Sequence, residues 1–304
     1  MLMPKPTFHY LPKHCLFCRD KEELVDLYPK TFSDADLTPD VFSARRITEH
    51  FHYAIVKCKN CGLVFSKEVL DDEALTYLYS QSKVTFSEHT ELISKDYLSY
   101  LQSCLSKNKK GKALEIGCST GFFLETLLRA GFQEVHGCEP SAEAIEKAAS
   151  EVKRNIHPGL FKEGLYPESH FDLVCSFQTL DHISDPVAVV KNCYKILRDE
   201  SIACFITHNV KGLHARLFGE RSPVFDVEHI YLFDPDTLSR LLRESGFEDV
   251  KVFPVKNTYP LSYWVKMAPV PFKKIVLSIL SLLGLSNIRV RINAGNIGVV
   301  GRRK

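Results

Sequence analysis

Hydrophobic and polar residues alternate with two different periods from residue 110 to the end of the 304-residue chain. Short apolar runs of the kind that form buried strands occur at 113–116, 134–138, 171–177, 202–207, 250–255 and 297–300. Stretches with helical spacing of their apolar residues lie between most of these runs, at 122–129, 141–150, 186–197 and 234–245. Strands that are separated by helices predict βαβ units, so we expect an α/β fold with a mostly parallel sheet.

Two stretches lie outside this alternation. Residues 70–108 have helical periodicity, and residues 256–294 separate the last two strands as an insertion. The insertion contains an apolar helical segment over 272–285 that begins with Lys273 and Lys274. Such a segment can lie on a membrane surface, cover an active site as a lid, or pack in the core or between two copies of the chain. The sequence does not decide among these roles, and it leaves the oligomeric state open.

Four of the ten cysteines form two close pairs before residue 70: Cys15, Cys18, Cys58 and Cys61. Two residues between cysteines let both thiolates reach one metal ion, and two such pairs supply the four sulfurs of a structural zinc site. We therefore expect a zinc-binding module over 1–69, followed by a second domain over 70–304. A four-sulfur zinc site has no open position for catalysis.

A glycine turn follows the first of the predicted strands, in the run Ala-Leu-Glu-Ile-Gly-Cys-Ser-Thr-Gly that contains Glu115, Gly117 and Gly121. Glycines allow a backbone to approach a ligand closely. Their spacing, G-x-x-x-G, differs from the G-x-G-x-x-G of nicotinamide-binding proteins. The next strand ends at Glu139, where a carboxylate can accept both hydrogen bonds of a ribose diol.

These two stretches resemble the first two motifs of class I S-adenosylmethionine (SAM) methyltransferases. A third stretch, Phe-Asp-Leu-Val-Cys-Ser-Phe-Gln-Thr-Leu-Asp-His-Ile-Ser-Asp-Pro at 171–186, is similar to the family's F-D-x-V...L-E-H-x-x-D-P. The resemblance implies a Rossmann-like sheet of seven strands, SAM as the cofactor and methyl transfer as the activity. It also implies the cofactor-binding residues, which are Glu115, Gly117, Cys118, Gly121, Glu139, Pro140 and Gln178.

A zinc module in front of such a domain resembles bacterial methyltransferases of sugar and secondary-metabolite pathways, among them nucleotide-sugar C-methyltransferases. The run Asp-Val-Glu-His-Ile-Tyr-Leu-Phe at 226–233 is similar to their E-H-x-x-Y-F segment, although they usually have a tyrosine where Asp226 stands. The resemblance implies a sugar, nucleotide-sugar or glycan precursor as the acceptor. Oxygen, carbon and nitrogen all remain open as the methylated atom.

Methylation of oxygen or carbon also requires a base that removes a proton near neutral pH, which is the chemistry of histidine. The predicted catalytic residues are His229 with its neighbour Glu228, and His182 with its neighbour Asp181. The sequence does not decide which histidine is the base. His208 and His214 rank after them.

The net charge is only +2, but from residue 250 onward the chain has ten Lys or Arg and no Asp or Glu. This asymmetry indicates an anionic acceptor, contact with a membrane surface, or simply a basic face exposed to solvent. An RNA methyltransferase that grips nucleic acid with its zinc module, and a SAM-binding scaffold without activity, are the alternatives. The overall charge near zero disfavours nucleic acid. We find no signal-peptide pattern and no run of 18 apolar residues, so we expect a cytoplasmic protein.

Overall fold

The computed structural model describes residues 6–43, 50–84, 88–105, 110–267 and 272–304. Its N-terminal part contains five short strands and two helices: β1 (Tyr10–Pro12), β2 (Leu24–Tyr28), β3 (Ile55–Cys58), β4 (Val64–Ser66), β5 (Glu68–Leu70), α1 (Asp72–Ser80) and α2 (Thr90–Gln102). The two helices confirm the helical periodicity of the stretch 70–108, of which residues 85–87 and 106–108 lie outside the described residues.

The remainder of the chain alternates strands and helices. In chain order they are β6 (Lys112–Ile116), α3 (Phe122–Arg129), β7 (Glu134–Glu139), α4 (Ala142–Glu146), α5 (Ser150–Lys153), β8 (Ile156–Pro158), β9 (Phe171–Phe177), α6 (Pro186–Ile196), β10 (Leu197–His208), α7 (Leu213–Phe218), β11 (Tyr231–Leu232), α8 (Pro235–Glu244), β12 (Glu248–Pro260), α9 (Leu261–Met267), α10 (Lys273–Leu282) and β13 (Arg289–Arg302).

Seven strands form the central sheet in the order β12-β13-β10-β9-β6-β7-β8. The five strands from β10 to β8 pair in parallel, and β13 is antiparallel to both of its neighbours, β10 and β12. Every residue of β9 is buried, because helices cover both faces of a parallel sheet. The expected α/β fold with a seven-stranded, mostly parallel Rossmann-like sheet is confirmed.

A second sheet of four strands has the order β11-β4-β3-β2. Its edge strand β11 comes from late in the sequence and pairs antiparallel with β4, with Tyr231 opposite Phe65 and Leu232 opposite Val64. The N-terminal strands are therefore held by hydrogen bonds to the segment that directly follows His229.

The insertion between the last two predicted strands contains more than the one expected helix: it consists of extensions of both strands and two helices. Strands β12 and β13 continue together beyond the sheet as a two-stranded arm, from Asn257 opposite Ile292 to Pro260 opposite Arg289. Helices α9 and α10 lie at the end of this arm, and α10 is shorter than the predicted 272–285. None of the helices in the described parts of the chain combines the length and the hydropathy that a bilayer span requires.

Candidate active site

Three residues of the glycine loop after β6 lie in the left-handed region: Gly117 with φ of 74°, Ser119 with φ of 49° and Gly121 with φ of 72°. A Cβ atom added to Gly117 would lie 2.4 Å from Oγ1 of Thr179, so no larger residue fits there without a shift. The backbone N–H of Gly117 donates to the carbonyl of Cys138 on β7. These contacts hold the loop against the carboxyl ends of three neighbouring strands.

Glu139 ends β7 beside this loop, with 8% of its surface exposed. Its two carboxylate oxygens accept hydrogen bonds from the backbone N–H groups of Ser119 and Ser141, each at 2.8 Å. Burial raises the pKa of this carboxyl, and the two backbone hydrogen bonds oppose that rise. The backbone therefore fixes the direction in which Glu139 points.

Two buried polar atoms near the loop have no hydrogen-bond partner among the described residues: Oε2 of Glu115 and Oε1 of Gln178. Burial raises the pKa of Glu115 well above its usual value, and the charge of Glu139 adds to the rise. Gln178 follows β9 with φ of 55°. Unsatisfied buried acceptors are rare in folded proteins, so a bound ligand that donates hydrogen bonds would suit these two oxygens. An ammonium group and a ribose diol, which SAM carries, fit this set of acceptors.

Two further predicted cofactor residues have different surroundings. Cys118 is buried, and its Sγ lies 2.5 Å from the position that a Cβ on Gly137 would take, so its side chain packs under the loop. Pro140 is partly exposed between the fixed carboxylate of Glu139 and the N-cap Ser141. Contact of either residue with the cofactor stays a prediction.

A second cluster lies past the end of β9, around Asp181, which has no exposed surface. Nδ1 of His208 lies 2.7 Å from Oδ2 of Asp181, and Nε2 of His229 lies 3.9 Å from the same oxygen. Nε2 of His182 lies 3.8 Å from Oδ1, which has no hydrogen-bond partner among the described residues. Three histidines thus surround one buried carboxylate.

The backbone and three neighbouring groups orient these rings. The N–H of Ile230 donates to the carbonyl of Asp181 at 2.7 Å, which brings the preceding His229 beside the carboxylate. Nδ1 of His229 lies 2.8 Å from the carbonyl of Val224 and can only donate to it, because a carbonyl has no proton. Nδ1 of His182 lies 3.4 Å from the hydroxyl of Tyr79 and 3.9 Å from Oε1 of Glu228.

The charges in this cluster follow from burial and from these partners. Burial opposes ionisation of Asp181. The hydrogen bond from His208, and the positive charge that His229, His208 and His182 carry when protonated, nevertheless hold the pKa of the Asp181 carboxyl well below the usual range. Burial lowers the pKa of His229, which the neighbouring His208 lowers further. Near neutral pH the site therefore contains an ionised Asp181 and a neutral His229, and a neutral imidazole can accept a proton.

The predicted residues His182, His229 and Glu228 lie together in this cluster, as the contacts above describe. His208, which ranks after them in the sequence analysis, makes the shortest of the three histidine contacts with the carboxylate of Asp181. His214 lies elsewhere, with its Nδ1 3.0 Å from Oγ of Ser222. Asp181 follows β9 and His208 ends β10, and these two strands are parallel neighbours. The two side chains are close because the carboxyl ends of neighbouring parallel strands lie at the same edge of the sheet.

The four paired cysteines also meet. Their sulfur atoms lie within 4.8 Å of one another, and Sγ of Cys15 is 3.2 Å from Sγ of Cys61. Four sulfurs around one zinc ion lie about 3.8 Å apart, given zinc–sulfur bonds of about 2.3 Å. Gly62, with φ of 82°, makes the turn after the second pair. The thiols therefore fit one tetrahedral metal ion.

The relatives of the chain are methyltransferases. A curated ubiquinone biosynthesis O-methyltransferase of Neisseria meningitidis serogroup A is 26% identical over 168 residues, which cover 51% of this chain and 68% of the relative. One of Actinobacillus pleuropneumoniae is 25% identical over 122 residues, covering 37% of this chain and 52% of the relative.

Among solved structures, a SAM-dependent methyltransferase of Archaeoglobus fulgidus gives a TM-score of 0.50 at 18% identity, over 70% of this chain and 94% of that one. A methyltransferase of Haloferax volcanii in complex with the Trm112 methyltransferase activator gives 0.52 at 13% identity, over 70% and 90%. At these identities the likeness concerns the fold. The family described as a methyltransferase domain matches residues 86–252, more than half of the chain, which therefore belongs to that family and is a class I SAM-dependent methyltransferase.

Proposed function

We propose that this enzyme methylates an oxygen or carbon atom of a small-molecule acceptor, with His229 as the general base. The observation that carries the proposal is the buried His229, whose Nε2 lies 3.9 Å from Oδ2 of the buried Asp181. Burial lowers the pKa of His229, which favours the neutral imidazole that a base requires. When bound, SAM supplies a methyl group activated by a positively charged sulfur. The acceptor must then lose a proton, which calls for a base near neutrality.

The residues around His229 suit this role. Because its Nδ1–H donates to the carbonyl of Val224, Nε2 is the nitrogen that can take a proton. The carboxylate of Asp181 would stabilise the resulting imidazolium, and the hydrogen bond from His208 holds that carboxylate in place. His182 is the second candidate for the base, with Tyr79 and Glu228 beside its Nδ1.

The acceptor that we propose is a sugar, a nucleotide-sugar or a glycan precursor. Two features support it: the segment around Glu228 and His229, and the cysteine module that precedes the methyltransferase domain. The curated relatives are named as O-methyltransferases, which favours oxygen as the methylated atom. A phenolic acceptor is the competing outcome of the test below. The absence of Asp and Glu after residue 249 favours an anionic acceptor.

We further propose that Cys15, Cys18, Cys58 and Cys61 hold zinc as a structural ion. Four thiolates leave the ion no position for substrate, so its role would be to stabilise the strands around it. Metal analysis of the purified protein should find about one zinc per chain. Cys58→Ser should lose it, whereas Cys104→Ser, a cysteine outside the set, should keep it.

The test combines an acceptor panel with base variants. Sugar nucleotides and phenols are incubated with enzyme and SAM, and formation of S-adenosylhomocysteine is measured. With the acceptor found, His229→Gln should lower kcat/KM by roughly 10²–10⁴-fold and leave SAM affinity unchanged. His214→Gln is the matched control, because that ring contacts Ser222 instead of Asp181.

Three outcomes would contradict the proposal in different ways. Turnover of phenols alone would reject the sugar acceptor and keep the base. A larger loss in His182→Gln than in His229→Gln would make His182 the base. Activity that disappears on mild chelation while the zinc content is unchanged would point instead to a metal held by Asp181, His182 and His229, whose ligand atoms lie within 4.8 Å of one another.

A further inference from the structure

The arm formed by the ends of β12 and β13 extends from the edge of the sheet where the histidine cluster lies. His208, at the end of β10, is opposite Asn296 of β13, which is in turn opposite Val255 of β12. From that level both strands run on to Pro260 and Arg289 and carry the two helices α9 and α10. The arm therefore begins beside the histidine cluster, where we propose that the acceptor binds.

Helix α10 exposes an apolar face. Phe272, Ile275, Ile279 and Leu282 follow helical spacing, and 76%, 57%, 50% and 87% of their respective surfaces are exposed. No residue of α10 is buried. Leu283 and Ile288 extend the exposed apolar surface beyond the helix. A contiguous apolar surface of this kind marks a contact site for a partner.

The charged residues of the arm itself are all basic. The arm contains no Asp or Glu, and its Arg291 pairs with Asp96 of α2 at 3.3 Å. Among the described residues, Lys266, Lys273 and Lys274 form no ion pair with a carboxylate. The ammonium of Lys273 donates to the carbonyl of Lys266, so these lysines lie close together at the connection of the two helices. An apolar face bordered by unneutralised lysines is complementary to an anionic surface with an apolar interior.

We propose that the apolar face of α10 docks this enzyme on the surface of an anionic lipid bilayer, with Lys266, Lys273 and Lys274 at the phosphates. The ten residues of α10 can lie in the headgroup region but are too few to span the hydrocarbon core. A two-fold contact between copies would bring the same lysines of both chains together without any carboxylate on the arm to neutralise them.

The test uses the full chain and co-sedimentation with vesicles. Wild type should bind vesicles that contain phosphatidylglycerol at least about tenfold more tightly than vesicles of phosphatidylcholine alone. Leu282→Glu, and separately the double variant Lys273→Glu/Lys274→Glu, should each weaken binding to the anionic vesicles about tenfold or more. Leu11→Glu is the matched control, since Leu11 is an exposed apolar residue on β1, outside the arm, and its variant should bind like wild type.

Failure of wild type to bind anionic vesicles, or equal binding by the arm variants, would overturn the proposal. A wild-type dimer that Leu282→Glu converts to a monomer, without vesicle binding by either, would assign the face to a second copy. Binding of S-adenosylhomocysteine by every variant verifies that each is folded. Because vesicle binding requires no turnover, its result is independent of the acceptor and base proposed above.

Discussion

Two buried carboxylates, Glu139 and Asp181, lie at the same edge of the central sheet and are held in opposite ways. Backbone N–H groups hold Glu139, and burial raises the pKa of its carboxyl. Histidine side chains hold Asp181, and they keep the pKa of its carboxyl low despite complete burial. Backbone groups thus hold the carboxylate that is predicted to bind SAM, whereas titratable side chains hold the carboxylate beside the proposed base, His229. Substitutions should separate cofactor binding from catalysis.

The largest expected effect is that of Asp181→Asn. An amide has no charge with which to stabilise a protonated His229, so kcat/KM should fall by roughly 10²–10⁴-fold. SAM affinity, measured by calorimetry, should stay within about twofold of wild type, because Asp181 lies in the histidine cluster and contributes nothing to the glycine loop or to Glu139. A parallel loss of cofactor affinity would show that cofactor binding and catalysis are not separable.

Glu139→Ala should have the next largest effect, and it should act on SAM binding instead of catalysis. Hydrogen bonds to a charged group contribute about 1.5–3 kcal/mol each, so loss of the two ribose contacts should raise the Kd for SAM by roughly 100-fold or more. Calorimetry measures this directly. Glu134→Ala, at the start of the same strand, removes a half-exposed carboxylate paired with Lys112 and should leave the Kd unchanged.

The pH dependence of kcat/KM should report the protonation of His229. A general base acts when deprotonated, so kcat/KM should rise tenfold per pH unit up to the pKa of His229 and then level off. Because burial lowers that pKa, the midpoint should lie below the ordinary histidine value of about 6.5. His214→Gln should retain the same acid limb. A midpoint above the ordinary value would contradict a buried, neutral His229.

The smallest expected effect is on stability and concerns Gly117, where the glycine loop contacts Thr179 in the segment that leads to Asp181. Gly117→Ala places a methyl group at positive φ against Thr179, whereas Gly164→Ala, at φ of 80°, meets nothing within 4 Å. The dihedral cost of about 1–2 kcal/mol is common to both. Denaturant unfolding should therefore show Gly117→Ala as the less stable variant by about 1 kcal/mol or more.

Local signals made much of this molecule predictable from its sequence. The alternation of strands and helices predicted the parallel sheet, which is confirmed. The glycine spacing placed a turn beside Glu139, while contact of Glu115 and Glu139 with SAM stays a prediction. The paired cysteines predicted a cluster of four sulfurs, which the structure has, while zinc at that cluster stays a proposal. Each of these features is carried by residues close together in the sequence, where periodicity and spacing are informative.

Features that depend on distant pairing were not predictable in this way. Strand β11 has two residues, too few for any periodicity, and it exists because β4 lies opposite. His208 acquires its contact with Asp181 only through the order of β9 and β10. Helix α10 has an apolar sequence that suits a buried helix equally well, and only its place at the end of the arm leaves it exposed.

The pairing of Tyr231 with Phe65 has a consequence for synthesis on the ribosome. Translation at about 5–20 residues per second delivers the edge strand of the four-stranded sheet on the order of 10–30 s after its neighbour β4. All four paired cysteines have been made long before that strand arrives. During this interval the nascent chain would expose β4 as an open strand edge, and the register of the early strands would rest on the pairing of β2, β3 and β4 alone.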